Sequence, residues 1–377
     1  MKGKLTIVRH LGVALTAMCF FACKEPYTPP QIENNPNYLV VDGMLNVGDS
    51  TTIKLSRTRS FTDSVSQSPE NGATVTVVGD GGDSYLLSDR GNGIYNINYL
   101  PLNPTEKYTL RIATLDGKQY ESDAVSTKQT PAIDSVNWIQ NGDGVQVYAN
   151  THDPNNNSIY YRWTYEETWE YRAKFASYLI YKNGQLQPRS PDEDYYTCWQ
   201  SRSSTELVLA STAGLSDDIV YRAPVQFIES GSMKISRLYS ILVKQAALTK
   251  EAYEYWQQLK KSTELSGGLF DPLPSQIIGN MHCVNDANAK ALGYISASTI
   301  TEQRIYINNT QLSPPWILPL QDCPEIVVPP DSVDYYFGKY ILIPIGSHGL
   351  TDYSGSYSTC IDCRTYGGTT TKPPYWP

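Results

Sequence analysis

From residue 38 onward, apolar and polar positions alternate in short runs. Tyr38-Leu39-Val40-Val41 leads into Asp42-Gly43, and Thr51 to Leu55 follows. Ala73, Val75 and Val77 alternate with threonines until the turn-rich Gly79-Asp80-Gly81-Gly82-Asp83. Tyr85 and Leu87, then Ile94-Tyr95-Asn96-Ile97, then Tyr108, Leu110 and Ile112 repeat the pattern, with Gly, Asn or Asp between the runs. A period of two marks strands with one buried face, because successive side chains point to opposite sides. Close spacing with such turns predicts an immunoglobulin-like β-sandwich over 38–128. Lys128-Gln129-Thr130-Pro131 is the predicted boundary.

The pattern then changes in length but not in kind. Ile133, Val136 and Trp138, followed by Val145 and Val147, open a second β-rich domain over 129–377. Residues 159–171 read IYYRWTYEETWEY, and the alternation of Tyr161, Trp163 and Tyr165 predicts a strand with Arg162 and Glu166 placed to pair on one face. Strands are expected at Glu206–Ala210, Ala223–Ile228, Met233–Val243, Arg304–Ile307 and Tyr340–Ile345. Within the Tyr-rich stretch 160–202, Asn183-Gly184 signals a turn. One helix is expected near 249–261: Thr249 suits its cap, and Ala252, Tyr255, Trp256 and Leu259 form an i, i+3, i+4, i+7 stripe. The predicted fold is therefore mainly β, an N-terminal immunoglobulin-like β-sandwich followed by a larger β-rich domain with one short α-helix.

Ahead of this pattern the chain carries an address. Lys2, Lys4 and Arg9 precede an uncharged run from Leu11 to Phe21, which is too short to cross a bilayer as a helix. It reads as an export leader over 1–22. Ala22-Cys23 resembles the bacterial lipobox, with Phe20 where Leu is usual, which makes Cys23 the acylated (palmitate-type) anchor. Lys24-Glu25 resembles the Lys-plus-acidic signal that sends lipoproteins to the outer face of the outer membrane. Pro26, Pro29, Pro30 and Pro36 make 23–37 a tether.

Composition narrows the function. The net charge is -8 over 377 residues, and the leader's basic residues only mask a more acidic body. That balance argues against nucleic acid as a partner. The 29 tyrosines and 7 tryptophans suit strands first and ligand stacking second. Five cysteines lie beyond the anchor, and export permits disulfides. Cys360-Ile-Asp-Cys363 has no second CxxC to complete a zinc site, so structural bridges are expected among Cys198, Cys323, Cys360 and Cys363, with Cys283 left over. The connectivity stays open. No metal or cofactor is expected: Asp153 to Thr164 lacks the Gly and the bidentate Glu of a calcium loop, and Asp80 to Asp83 reads as a hairpin turn. Glu166, Glu167 and Glu170 raise a glycosidase reading, but adjacent strand residues face opposite ways, so Glu166 and Glu167 make no catalytic pair. His282-Cys283 fails as a nucleophile pair for the same reason.

Several short stretches carry a resemblance. They are Tyr239 to Leu248, Glu251-Ala-Tyr-Glu-Tyr-Trp256, Gly268-Leu-Phe-Asp-Pro272, Gly279-Asn280, Leu292-Gly-Tyr294 and Cys360-Ile-Asp-Cys-Arg364, with Leu39-Val-Val-Asp-Gly43 and Cys23-Lys-Glu-Pro-Tyr27. Together they resemble Bacteroidota lipoproteins of the domain-of-unknown-function family forty-two forty-nine. The resemblance implies an outer-membrane, surface-exposed lipoprotein, often encoded beside a SusC-like TonB-dependent transporter, and hence a non-enzymatic subunit that captures a nutrient such as a glycan or peptide. A free-standing glycan binder or adhesin is the alternative, and a glycan hydrolase with Glu166 as the first residue to test is the third reading.

Overall fold

The structure, a computed structural model, describes residues 37–59, 67–264, 277, 279–316 and 322–377. The chain is mainly β. Cys23, Lys24 and Glu25, with the leader and most of the tether, lie outside the described residues.

The first body is a β-sandwich. Leu39–Gly43 pairs antiparallel with Thr51–Thr58, which also pairs with Ile94–Ile97. Thr74–Gly79 lies between Ser84–Asp89 and Lys107–Ala113, and Ser84–Asp89 reaches across to Ile94–Ile97. The alternation explains the layering. Ile53, Leu55, Val75, Val77, Tyr108, Leu110 and Ile112 are all buried within one core, while the interleaved Thr52, Lys54 and Thr74 face outward.

The chain does not pass through two bodies in simple succession. The sequence assigns everything after residue 128 to one C-terminal domain, but residues 281–298 return to the first sandwich. Met281–Cys283 pairs with Gln119–Ser122, Ala291–Leu292 runs parallel to Leu39–Gly43, and Ala297–Ser298 lies parallel between Leu45–Asn46 and Val125–Lys128. Met281, Ile295 and Ala297 join the first core. Asn280 pins the return: its side chain both donates to and accepts from the Ile295 backbone at 2.8 Å. Two glycines permit the approach. A Cβ on Gly279 would sit 1.8 Å from the Gly293 carbonyl, and one on Gly293, at φ +130°, 2.0 Å from the Val41 carbonyl.

The second body is built on Tyr160–Arg172. This 13-residue strand is flanked by Thr197–Ser203 and Val208–Ser211 on one edge and Leu238–Ala247 on the other, with Ile300–Asn308 beyond. Its odd-numbered face carries Tyr161, Trp163, Tyr165, Trp169 and Tyr171 into a core shared with the sheet Ile133–Gln140, Gly144–His152 and Ile219–Glu229. The expected strand from Met233 is corrected at its start: Met233–Ile235 is a 3-10 turn, capped by Ser232, whose side chain accepts from the Lys234 N–H, and the strand begins at Leu238. The expected strand from Tyr340 begins only at Ile343, since Tyr340 adopts φ 57° and is exposed.

The helix spans Lys250–Glu264, and Thr249 caps it by accepting from the Ala252 N–H at 3.2 Å. Its stripe packs as the periodicity predicts, with Ala252 and Trp256 buried beside Leu248 and with Tyr255 and Leu259 partly buried. Tyr255 also stacks on Tyr294 of the returning segment at 5.1 Å, so the helix joins the two bodies. The Asn183-Gly184 turn closes the hairpin Leu179–Lys182 and Gln185–Pro188, and both turn residues have positive φ. At the C-terminus, Trp376 is buried, and its Nε1 donates to Glu170 at 3.2 Å. The last residues thus form a strap over the even-numbered face of the long strand.

Candidate functional site

Beyond the strap, the Arg162 and Thr164 positions of that even-numbered face lie toward the first body. In register, Arg162 lies opposite Ala246, Thr164 opposite Lys244, and Ala246 opposite Ile300. These residues floor a cleft of about 270 Å³. Asp42, Gly43, Met44, Asn46, Ser50 and Thr52 of the first sandwich form its wall. The wall is held from behind by the returning segment, where the Leu45 N–H donates to the Ser296 carbonyl at 2.9 Å. The chain passes from the first body to the second at 128–130 and again at 298–300, and Thr130 is hydrogen-bonded to Ser298 and Thr299. These hydrogen bonds tie the two passages side by side. A cleft where two bodies meet is where small-molecule sites concentrate.

The electrostatics of the cleft centre on Arg162. Its guanidinium lies 3.8 Å from the centroid of the Trp256 ring. Its Nε is buried without a hydrogen-bond partner, and no carboxylate among the described residues forms an ion pair with it. Burial holds the guanidinium below its ordinary pKa, against the pull of Asp42 and Tyr255. Arg57 is the contrast. It is also drawn inside, but Glu70 accepts from its Nε at 2.6 Å and Tyr120 lies 3.2 Å from its Nη1. Burial works against the charge of Arg57, yet these partners raise its pKa overall. A second unpaired group stands in the wall: Asn46 is 8 % exposed, and its Oδ1 has no partner.

The expected Arg162–Glu166 pair does not form. The two share a face, but Glu166 accepts instead from Lys244 at 2.6 Å across the strand, and Arg162 turns onto Trp256. Glu167 points the other way, into the core. It accepts from Lys234 at 2.6 Å and from the Tyr239 hydroxyl at 2.9 Å. Burial, with Glu167 alongside, raises the Tyr239 pKa well above its ordinary value. Glu170 is shared between Arg237 at 2.8 Å and Trp376. The three glutamates are therefore separate ion pairs on two faces.

The cysteines of the CxxC do not bridge each other. Cys363 pairs with Cys198 and Cys360 with Cys323, and Cys283 is the free thiol among the described residues. Cys198 lies opposite Tyr171 on the long strand, so the first bridge fastens the C-terminal segment directly to the central sheet. His282 faces Asp123 at 3.7 Å rather than Cys283. Asp153 uses its carboxylate within its own turn, accepting from Asn155, Asn157 and Ser158. The residues that sequence reasoning missed are Asp42, Asn46 and Thr52, each in a short run with no chemical signature. Arg162 had one visible sign, a cation within an aromatic strand.

A search of curated proteins finds no match. Among solved structures, the chain is similar to chitinase ChiA74 from Bacillus thuringiensis, at 9% identity and a TM-score of 0.15, covering 53% of this chain and 29% of that one. It is similar also to a putative carbohydrate binding protein from Bacteroides uniformis, at 11% identity and a TM-score of 0.13, covering 57% and 91%. The chain thus spans under a third of that chitinase. Likenesses of this size carry no argument about the fold or the cleft. The family comparison is of another order, since one family matches residues 24–304, most of the chain. The chain belongs to that family, described as Domain of unknown function (DUF4249).

Proposed function

We propose that this chain is a surface lipoprotein of the outer membrane, anchored through Cys23, that captures a ligand for a SusC-like TonB-dependent transporter without transforming it. The observation that carries the capture part is the cleft between the two bodies, walled by polar groups and floored by an arginine whose buried Nε has no hydrogen-bond partner. A cleft lined by polar groups that lack hydrogen-bond partners is suited to binding. The glutamates that a hydrolase would need are each engaged with a cation in the folded chain: Glu166 with Lys244, Glu167 with Lys234, Glu170 with Arg237. Two carboxylates flanking a common space, the requirement for glycoside hydrolysis, are not assembled from these three.

The anchoring part rests on the leader, Cys23 and Lys24-Glu25. In whole cells, a clickable fatty-acid analogue is expected to label the wild-type protein and not Cys23→Ala. External protease is expected to cleave the wild-type protein without cell lysis. Labelling of Cys23→Ala at the wild-type level, or protection from protease until lysis, would remove the anchor or the surface location from the proposal.

A further inference from the structure

We infer that the cleft binds a small hydroxylated carboxylate, of the sugar-acid class, with Arg162 as the anchor for its carboxylate. The first ground is the state of Arg162. A cation drawn out of water without an opposite charge is costly, and its Trp256 stack only partly compensates. Proteins pair such charges, as this one pairs Arg57 with Glu70. Arg162 instead lines a cavity with its Nε unsatisfied. A planar guanidinium fits a carboxylate through two parallel hydrogen bonds, which Lys244, already engaged by Glu166, does not offer.

The second ground is independent of the first. Asn46, whose Oδ1 is a buried acceptor without a donor, lines the same cavity. Asp42 adds an acceptor-only carboxylate to the rim, exposed to solvent. An anion alone would satisfy Arg162 and leave these two facing like polarity. A ligand carrying both a carboxylate and hydroxyl donors satisfies all three. Ser50, Thr52 and Thr164 supply hydroxyls of either role. The cavity, at about 270 Å³, suits one ring or its open-chain equivalent rather than an oligomer.

This inference names the ligand class of the capture site and rests on that reading for its biological use. The test needs no transporter. The full-length lipoprotein, purified in detergent, is equilibrated by dialysis against radiolabelled D-glucuronate and, separately, D-glucose, which differs by lacking the carboxylate. Glucuronate is expected to bind at least tenfold more tightly than glucose. R162M is expected to lose that preference, and R162K to retain part of it. D42N and N46L are expected to weaken glucuronate binding while leaving a preference over glucose. Because removing a buried cation that has no ion pair relieves a cost, R162M is also expected to melt at or above the wild-type temperature. Three results would overturn the inference: no glucuronate binding, equal affinity for both sugars, or R162M binding as the wild type does. A clear drop in the R162M melting temperature would make Arg162 a structural residue and would count equally against it. The two proposals fail separately. Arg162-dependent binding by a protein that leaves the membrane alone removes the transporter and keeps the site. A co-purifying barrel with no carboxylate preference does the reverse.

Discussion

Removing the Cys198–Cys363 bridge is expected to destabilise the protein more than removing Cys323–Cys360. The two bridges close different lengths of chain in the unfolded state, 165 residues against 37. In the chain-entropy treatment a loop of the first size restricts the unfolded ensemble by about 5 kcal/mol and one of the second size by about 4 kcal/mol. The folded state adds to the difference. Cys198 sits in the strand beside Tyr171, whose hydroxyl donates to the Cys363 carbonyl at 2.9 Å. Loss of that bridge therefore loosens the C-terminal segment at the central sheet. Urea unfolding of Cys363→Ser and Cys360→Ser under non-reducing conditions, with near-ultraviolet circular dichroism as the probe, measures both. The expected order is wild type, then Cys360→Ser, then Cys363→Ser, the first step about 4 kcal/mol and the second about 1 kcal/mol. A non-reducing peptide map is expected to show the two stated pairs, with Cys283 alone open to alkylation. Equal midpoints for the two variants, or a Cys360–Cys363 peptide, would refute the reasoning.

Other perturbations separate the ion pairs by burial. Glu167→Ala leaves Lys234 without its partner in the core and is expected to cost about 3–5 kcal/mol in urea unfolding, whereas Glu166→Ala, at an exposed pair, is expected to cost under about 1 kcal/mol. Gly293→Ala forces a Cβ onto the Val41 carbonyl and is expected to destabilise by roughly 2–4 kcal/mol, with increased hydrogen exchange concentrated in Met281–Cys283 and Leu39–Gly43. His152 donates from Nδ1 to the Asp134 carboxylate at 2.8 Å, and this partner raises its pKa above the ordinary 6.5. A group raised in the folded state stabilises fully below its unfolded pKa and loses that contribution as pH rises through the folded value. The stability difference between wild type and Asp134→Asn is therefore expected to be largest below pH 6 and to fade in mild alkali. A difference that grows with pH would contradict it.

Much of the fold was legible because one face of each strand is buried. Val75 and Val77, or Tyr108, Leu110 and Ile112, could alternate with polar residues only on a half-buried surface, and the helix stripe announced itself the same way. The turn at Met233–Ile235 was missed because its apolar residues continue those of the strand behind it, and only the Ser232 cap distinguishes them. The return of 281–298 was hidden for a different reason. Its strands are two or three residues long, and their partners lie far away in the sequence, so no local pattern marks them. The cleft shares that difficulty. Arg162 and Glu166 fall on one face as the period predicts, but the cross-strand position of Lys244 and the arrival of Trp256 decide which of them is paired. The four bridging cysteines could be named from the sequence, whereas their connectivity depends on where the C-terminal segment folds back.

The most direct measurement of the central claim is purification from outer membranes in mild detergent, through a tag inserted between Pro26 and Pro36. Mass spectrometry then identifies what accompanies the protein. The account predicts a TonB-dependent β-barrel in stoichiometric amount, retained by Arg162→Met and lost with Cys23→Ala. Recovery of the lipidated, surface-exposed wild-type protein with no barrel would contradict it.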